Sequence, residues 1–510
     1  MKKQFWLMML LAVVTIFNNL GGIPLLDPDE PVYAETPREM IVFGDYVSPR
    51  IYGDYWYDKP PMYYWLVAGS FKLLGMNEFT ARFPAAFLAV VCVAMVYRSM
   101  SRFFSRRSGV ISGLVLATSI EYFYLGKAAV TDSTLTVFFT MALLFFLEQK
   151  YYLFYFFCAL ATVTKGPIGI LLPGLIICIW LLVTRQFNRI KTMKIPGGVI
   201  LFLLVAGPWY WAMYHIHGSA FLDGFIGLNN ITRFTSPEHG KNLGWYYFIP
   251  VLLIGFFPWT ALLGQTVRKA LAAKTKEEVF QLRFIMIWAM IIFIFFSISS
   301  TKLISYILPM YPPLSMLVGW YLDTECYSGN ATGIRLVWPI LLTLLTCTLA
   351  GVLLLESVSL TEIRIALYIL AGVTIAIPTA VWFFLMKGQV SRAVWSKAIL
   401  MAVFSIVLVT LVLPPMADQF SCRTTAQEFL NRYEGTSDIY VSKFLHPGFT
   451  FYTGIYGQEL KTGSDFTQAI TQSSKAYFIV RESDYLALSE QQRRDLMVLS
   501  EVDQKVILKK

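Results

Sequence analysis

The chain is written in long apolar runs separated by short polar interruptions. Near 4–24, 79–98, 108–126, 128–148, 150–164, 166–184, 195–216, 245–265, 282–300, 303–322, 335–355, 362–386 and 395–415 nearly every position is apolar, with no two-residue alternation. Runs of about 17 to 25 such residues suit helices that satisfy their own backbone hydrogen bonds while crossing roughly 30 Å of hydrocarbon. The alternating strands of a membrane barrel are absent. The amphipathic stretch 62–75 and the short piece around Cys158 each change the number of spans by one, according to whether they cross. From about Ala417 the pattern changes. Strand-like runs at 438–444, 476–480 and 502–509 alternate with helical patterns at 424–433 and 489–499, which predicts a small α/β domain. The expected fold class is an all-α polytopic membrane protein of thirteen spans over 1–416, with polar loops at 25–78 and 217–244, followed by an α/β domain over 417–510.

Composition agrees with this picture. Of 510 residues 56% are hydrophobic and 16% aromatic, only 15% are charged, and mean hydropathy is +0.58; an ordinary soluble enzyme carries nearer a quarter charged residues. A formal charge of +10 could indicate nucleic acid. The bases instead sit in short loops: Arg98, Arg102, Arg106 and Arg107; Arg185, Arg189, Lys191 and Lys194; Arg268, Lys269, Lys274 and Lys276; Lys387, Arg392 and Lys397. Their partner is the lipid bilayer and its anionic cytoplasmic leaflet, with no role for nucleic acid. The same rule puts loops 25–78 and 217–244, and the C-terminal domain, outside. The opening MKKQFWLMMLLAVVTIF has a signal-like start without a small-residue cleavage site, so it is expected to remain as the first span. Six cysteines show no metal-like spacing and read mostly as small core residues.

The polar exceptions carry the chemistry. Between Asp27 and Tyr64 stand Asp27, Asp29, Glu30, Glu35, Glu39, Asp45, Asp54 and Asp58 against Arg38, Arg50 and Lys59, interleaved with aromatics such as Tyr33 and Trp56 that suit the faces of sugars. A carboxylate such as Asp29 could serve as a general base or as a metal ligand. Asp58 and Lys59 precede Pro60 and Pro61, which hold them on a stiff turn suited to a phosphate. Asp132 opens an apolar span, where an ionised carboxylate needs a partner. Lys127 and Lys165 lie at outer span ends against the charge rule, as though facing an anion. Loop 217–244 adds Arg233, suited to bidentate phosphate contact. His215, His217 and His239 match no zinc spacing. Lys302 and Tyr306 stand at the mouth of the tenth span. No nucleotide-binding or Ser/His/Asp signature is present. An enzyme of the outer face without nucleotide needs an activated donor already in the membrane, and a polyprenyl-phosphate sugar fits.

The run DEPVYAETPREMIVFGDYVSPRIYGDYWYDKPPMYYW resembles the first-loop signature of bacterial GT-C glycosyltransferases of the aminoarabinose transferase type, relatives of the protein O-mannosyltransferases. The family pattern reads D-E-x-R-Y-A-E, R-E-M, G-D-W, P and E-K-P-P. The resemblance implies a carboxylate at Asp29 in catalysis, with Asp132 as a second acidic position. It implies a donor-phosphate contact at Lys59, and it matches Lys165 of T-K-G, Arg233 of R-F and Tyr306 of K-L-x-x-Y-x-L-P to the family's positions. Glu30, Tyr33, Trp56, Lys302 and Tyr306 are the expected substrate-binding residues. Asp58 takes the place of a glutamate implicated in metal binding, so a divalent metal enters by resemblance, while the sequence itself requires no cofactor. Two positions depart from the pattern: Val32 replaces an arginine, and Asp58 is one methylene shorter than glutamate. The implied activity is transfer of a sugar, such as 4-amino-4-deoxy-L-arabinose, from undecaprenyl phosphate to lipid A or another periplasmic acceptor, at the periplasmic face of the bacterial inner membrane. Protein O-glycosylation and a lipid-linked sugar flippase are the competing expectations.

Overall fold

The computed structural model describes residues 2–232, 243–328, 336–435 and 437–510. In chain order the first helices are α1 Lys2–Phe17, α2 Asp29–Phe43, α3 Met62–Leu74, α4 Glu78–Phe103, α5 Arg106–Ala117, α6 Ile120–Leu125, α7 Thr131–Leu147, α8 Tyr151–Lys165, α9 Ile168–Thr184 and α10 Ile195–His217. The strands are β1 Arg50–Ile51, β2 Asp54–Tyr55, β3 Asp438–Ser442, β4 Gln458–Leu460, β5 Ala476–Arg481, β6 Met497–Val502 and β7 Lys505–Lys509. Contacts divide the chain into two compact units: Met1–Asn18, Tyr57–Met62 and Ala85–Val412 form one, and Asn19–Trp56, Tyr63–Pro84 and Leu413–Lys510 the other. These boundaries differ from the expected division into 1–416 and 417–510, because most of the first polar loop groups with the C-terminal residues.

The first unit is helical. Helical segments occupy all thirteen expected ranges. Among the described residues six helices are long and apolar enough to cross a membrane, or seven if the bent pair Trp245–Gly255 and Trp259–Leu271 counts as one span. That pair turns by 104° where Pro258, which has no N–H to donate, interrupts the ladder. The run 108–126 is likewise two helices, parted at Thr118 and Ser119. Lys397, expected in a cytoplasmic loop, lies well inside the helix Val390–Val407 and is fully buried. Its ammonium sits 4.0 Å from the ring centroid of Trp259 and 4.9 Å from that of Trp338, so two indole faces stand in for water.

Helices α7 and α8 form the hairpin that matters most for function. Glu148, Gln149 and Lys150 join them, and Gln149 adopts φ +59° to make the reversal. The two helices are almost equally long, so the last residue of α8 returns beside the first turn of α7. At the turn, buried Glu148 accepts from Arg98 at 2.7 and 3.1 Å and pairs with Lys150 at 3.1 Å. At the other end Gly166 takes φ +87°, open to glycine, and lets α9 start at once. A side chain at Gly169 would come within 2.3 Å of the Thr162 backbone nitrogen, so small residues allow α8 and α9 to touch.

In the second unit the acidic segment is not an open loop. Asp29 and Glu30 occupy the first turn of α2, where negative charge complements exposed N–H groups, and Pro31 falls where its missing donor costs little. Gly44 ends the helix at φ +66°. The C-terminal sheet has the order β4-β3-β5-β7-β6, with β3, β4 and β5 parallel and β6 and β7 an antiparallel hairpin. Phe478 and Val480 pack on one face and Tyr477 and Ile479 on the other, which explains why β5 reads as a continuous apolar run. The helix expected over 489–499 stops at Arg494, because Met497–Val502 is drawn into the sheet as β6. Of the cysteines, Cys92, Cys158 and Cys422 are buried as expected, whereas Cys178 and Cys347 are exposed.

Candidate active site

The α7–α8 hairpin brings Asp132 and Lys165 together. Lys165 Nζ donates to Asp132 Oδ1, with the two side chains 14% and 11% exposed. The same ammonium lies 4.7 Å from the centroid of Tyr306, on the turn Ile304–Met310 that packs against α7. Three sequence-predicted residues thus converge from three separate segments. The Asp132 carboxylate is engaged by that lysine. Lys302 is buried, and its Nζ donates to the Ser299 carbonyl.

Asp58 and Lys59 form a second pair in the same unit, 2.9 Å apart and largely buried. Pro60 and Pro61 follow directly, and Tyr57 beside them packs on His217 at 5.3 Å. Trp211 stacks on His215 at 5.2 Å. Those histidines serve aromatic contacts. Among the described residues no three His, Cys, Asp or Glu side chains converge as metal ligands, and Asp58 faces a lysine. The residues described do not fit a metal site, and no step is routed through one. Arg233 and His239 lie outside the described residues.

Glu121 and Tyr311 were missed in the sequence. Glu121 on α6 is buried, accepts from the Tyr311 hydroxyl through Oε2, and is near enough to Asp132 to act on it electrostatically. An acid in the apolar run SIEYFYL was the available signal.

The second unit holds the remaining candidates. Asp29 is exposed at the start of α2. Glu30 is buried, with Oε1 accepting from Arg82 at 2.9 Å and Oε2 from Arg82 at 2.5 Å and the Leu26 N–H at 3.0 Å. Glu30, expected to bind substrate, is thereby tied to Arg82 and to the chain that leads into α2. Tyr33 lies against Tyr63 and Tyr64 at 5.9 and 6.0 Å. The Trp56 indole N–H is buried and has no hydrogen-bond acceptor among the described residues. Further along α2, Arg38 forks onto Glu35 at 2.7 and 2.6 Å. Glu39 accepts from the Gly53 N–H; burial, and then the neighbouring Glu35 carboxylate, push it up to about 7.

Residues 58–211 match the family model of the dolichyl-phosphate-mannose-protein mannosyltransferases. An uncharacterized protein of Aquifex aeolicus is 31% identical over 327 residues, 63% of this chain and 74% of that one. An undecaprenyl phosphate-alpha-4-amino-4-deoxy-L-arabinose arabinosyl transferase of Pectobacterium carotovorum is 29% identical over 349 residues, 66% of this chain and 61% of that protein, so the chain spans about six tenths of that relative's length. The crystal structure of ArnT from Cupriavidus metallidurans bound to undecaprenyl phosphate superposes with a TM-score of 0.84 at 22% identity, covering 99% of this chain and 97% of that one. The chain belongs to the family of GT-C membrane glycosyltransferases of the aminoarabinose transferase type, related to the protein O-mannosyltransferases.

Proposed function

We propose that this protein transfers a sugar from a polyprenyl-phosphate donor to an acceptor at the outer face of the bacterial inner membrane, through thirteen spans that leave the C-terminal domain outside. The sugar is 4-amino-4-deoxy-L-arabinose and the acceptor lipid A. The observation that carries this reading is the Lys165 cation, held by Asp132 over the Tyr306 ring at the end of an apolar hairpin. A carboxylate partner holds that lysine in place, and a phosphate leaving group needs such a cation as its negative charge develops. Lys59, held by Asp58, and Arg233 complete the set of phosphate contacts.

In the step itself the acceptor oxygen attacks the anomeric carbon as the bond from that carbon to the phosphate oxygen breaks, with inversion. The electron pair leaves with polyprenyl phosphate. Asp29 takes the acceptor's proton where the acceptor is a hydroxyl, and orients the acceptor where it is already an anionic phosphate. Tyr33 and Trp56 offer faces and an N–H to the sugar.

The name of the Pectobacterium relative supports the choice of sugar and carrier. Purified protein in nanodiscs is incubated with undecaprenyl phosphate-aminoarabinose and lipid A, and the lipids are weighed by mass spectrometry. Modified lipid A supports the proposal. Intact donor beside unmodified lipid A and peptide, as a flippase would leave them, or modified peptide with unmodified lipid A, as protein glycosylation would give, refutes it.

A further inference from the structure

The C-terminal sheet contains a crevice that the transfer reading does not use. Strand β3 lies between β4 and β5, all three parallel. The chain leaving β3 turns toward β4, whereas the chain leaving β5 turns away toward β7. At such a switch in direction the ends of parallel strands stand apart, and open α/β sheets bind ligands there. In this protein a cavity of about 90 Å³ occupies that place, lined by Ser442, Lys443 and Phe444 after β3, Lys461 to Gly463 after β4, and Arg481 and Asp484 after β5.

Three bases and one acid line the crevice, with Glu459 within electrostatic reach of Lys443 and Lys461. Arg481 lies over the exposed Phe444 ring, 4.6 Å from its centroid, and a guanidinium can make a forked contact with a phosphate. Asp484 accepts from Ser442 at 3.2 Å and lies 3.6 Å from Arg481, which fixes the floor. The helix Gly463–Gln472 is already closed by its own capping box, with Asp465 accepting from the Lys461 and Thr462 N–H groups. The charge therefore comes from side chains, not from an open helix end. A side chain at Gly463 would meet nothing within 4 Å, which leaves the mouth clear. The volume equals about three waters' share of the liquid, room for one phosphate but not for a whole lipid.

We propose that this crevice binds the phosphate of a phosphorylated saccharide, with the Phe444 ring beneath the sugar and Lys443, Lys461 and Arg481 around the phosphate. Its anion selectivity stands on this geometry alone; assigning the saccharide to the acceptor rests on the transfer reading above. The test uses the full chain in phosphatidylcholine nanodiscs, titrated calorimetrically with glucosamine 1-phosphate, with glucosamine and with inorganic phosphate. Glucosamine 1-phosphate is expected to bind, glucosamine not to, and the Lys443→Gln/Lys461→Gln/Arg481→Gln protein to bind at least tenfold more weakly. Lys475→Gln, at the opposite end of β5, is expected to leave binding unchanged. Phe444→Ala is expected to weaken glucosamine 1-phosphate while sparing inorganic phosphate. Lipid A in the nanodisc competes with the soluble ligand if the natural source is a lipid headgroup, and does not if it is a free phosphosugar. Unchanged affinity in the triple variant, equal affinity for glucosamine, or no binding by the unaltered protein would overturn the proposal. A Lys165→Met protein separates the two readings, because it should lose transfer and keep this binding.

Discussion

Replacing Arg82 with methionine tests how Asp29 is held. Arg82 donates to Glu30 Oε1 at 2.9 Å and Oε2 at 2.5 Å, and to the carbonyls of Leu20, Ile23 and Pro24 at 3.1, 2.6 and 2.7 Å. Both side chains are nearly inaccessible, at 6% and 7% exposure. Removing the arginine strands a buried carboxylate and three carbonyls, and breaking a buried pair from one side costs about 3–5 kcal/mol. For a unit of about 160 residues a loss of that size lowers Tm by about 6–20 °C. Thermal unfolding of the detergent-solubilised protein, followed by near-ultraviolet circular dichroism, measures it. Glu30→Gln/Arg82→Met removes both charges and should lose less than Arg82→Met alone. An unchanged Tm in Arg82→Met, or a double variant that loses the sum of the two single losses, would refute the argument.

Three other outcomes follow from buried groups. Burial lowers the His446 imidazole from 6.5 to about 4, so the folded state keeps it neutral while the unfolded chain protonates it. The stability it contributes is complete above pH 6.5 and is lost as pH falls through 4, up to about 3 kcal/mol; urea titrations across that window should show the slope, and His446→Phe should remove it. Gly448→Ala puts a Cβ within 2.3 Å of Asp27 Oδ1 and 3.1 Å of Cys422 Cβ, and should cost about 1–3 kcal/mol in the same assay. Lys397→Met should melt no lower than the unaltered protein, since an apolar chain of similar size spares the burial of a charge; Trp259→Leu should cost several degrees, and less once Lys397 is methionine.

The helical ranges were legible because a run of apolar residues in a membrane has few alternatives to helix. Their interruptions were less so: the bend at Pro258 and the break at Thr118 depend on what packs against them. The segment at Asp29 reads as a loop because its acids hide a helix in which Glu30, Glu35 and Glu39 are buried, Glu30 against Arg82, 52 positions away. In the same way Asp132 and Lys165 were legible singly. Their pairing required the equal lengths of α7 and α8. The strand Met497–Val502 was misread because the two left-handed turn residues, Asp503 and Gln504, are not glycine or asparagine. Lys397 looked like a loop base because its two tryptophan partners lie far away in sequence.

The transfer reaction catalysed by the Lys165→Met protein decides whether this lysine stabilises the leaving phosphate. With undecaprenyl phosphate-aminoarabinose and lipid A in nanodiscs, and folding verified by a cooperative melting transition above the assay temperature, turnover is expected to fall at least a hundredfold, since about 3 kcal/mol of charge stabilisation at the leaving phosphate disappears. Turnover within a few-fold of the unaltered protein would contradict it.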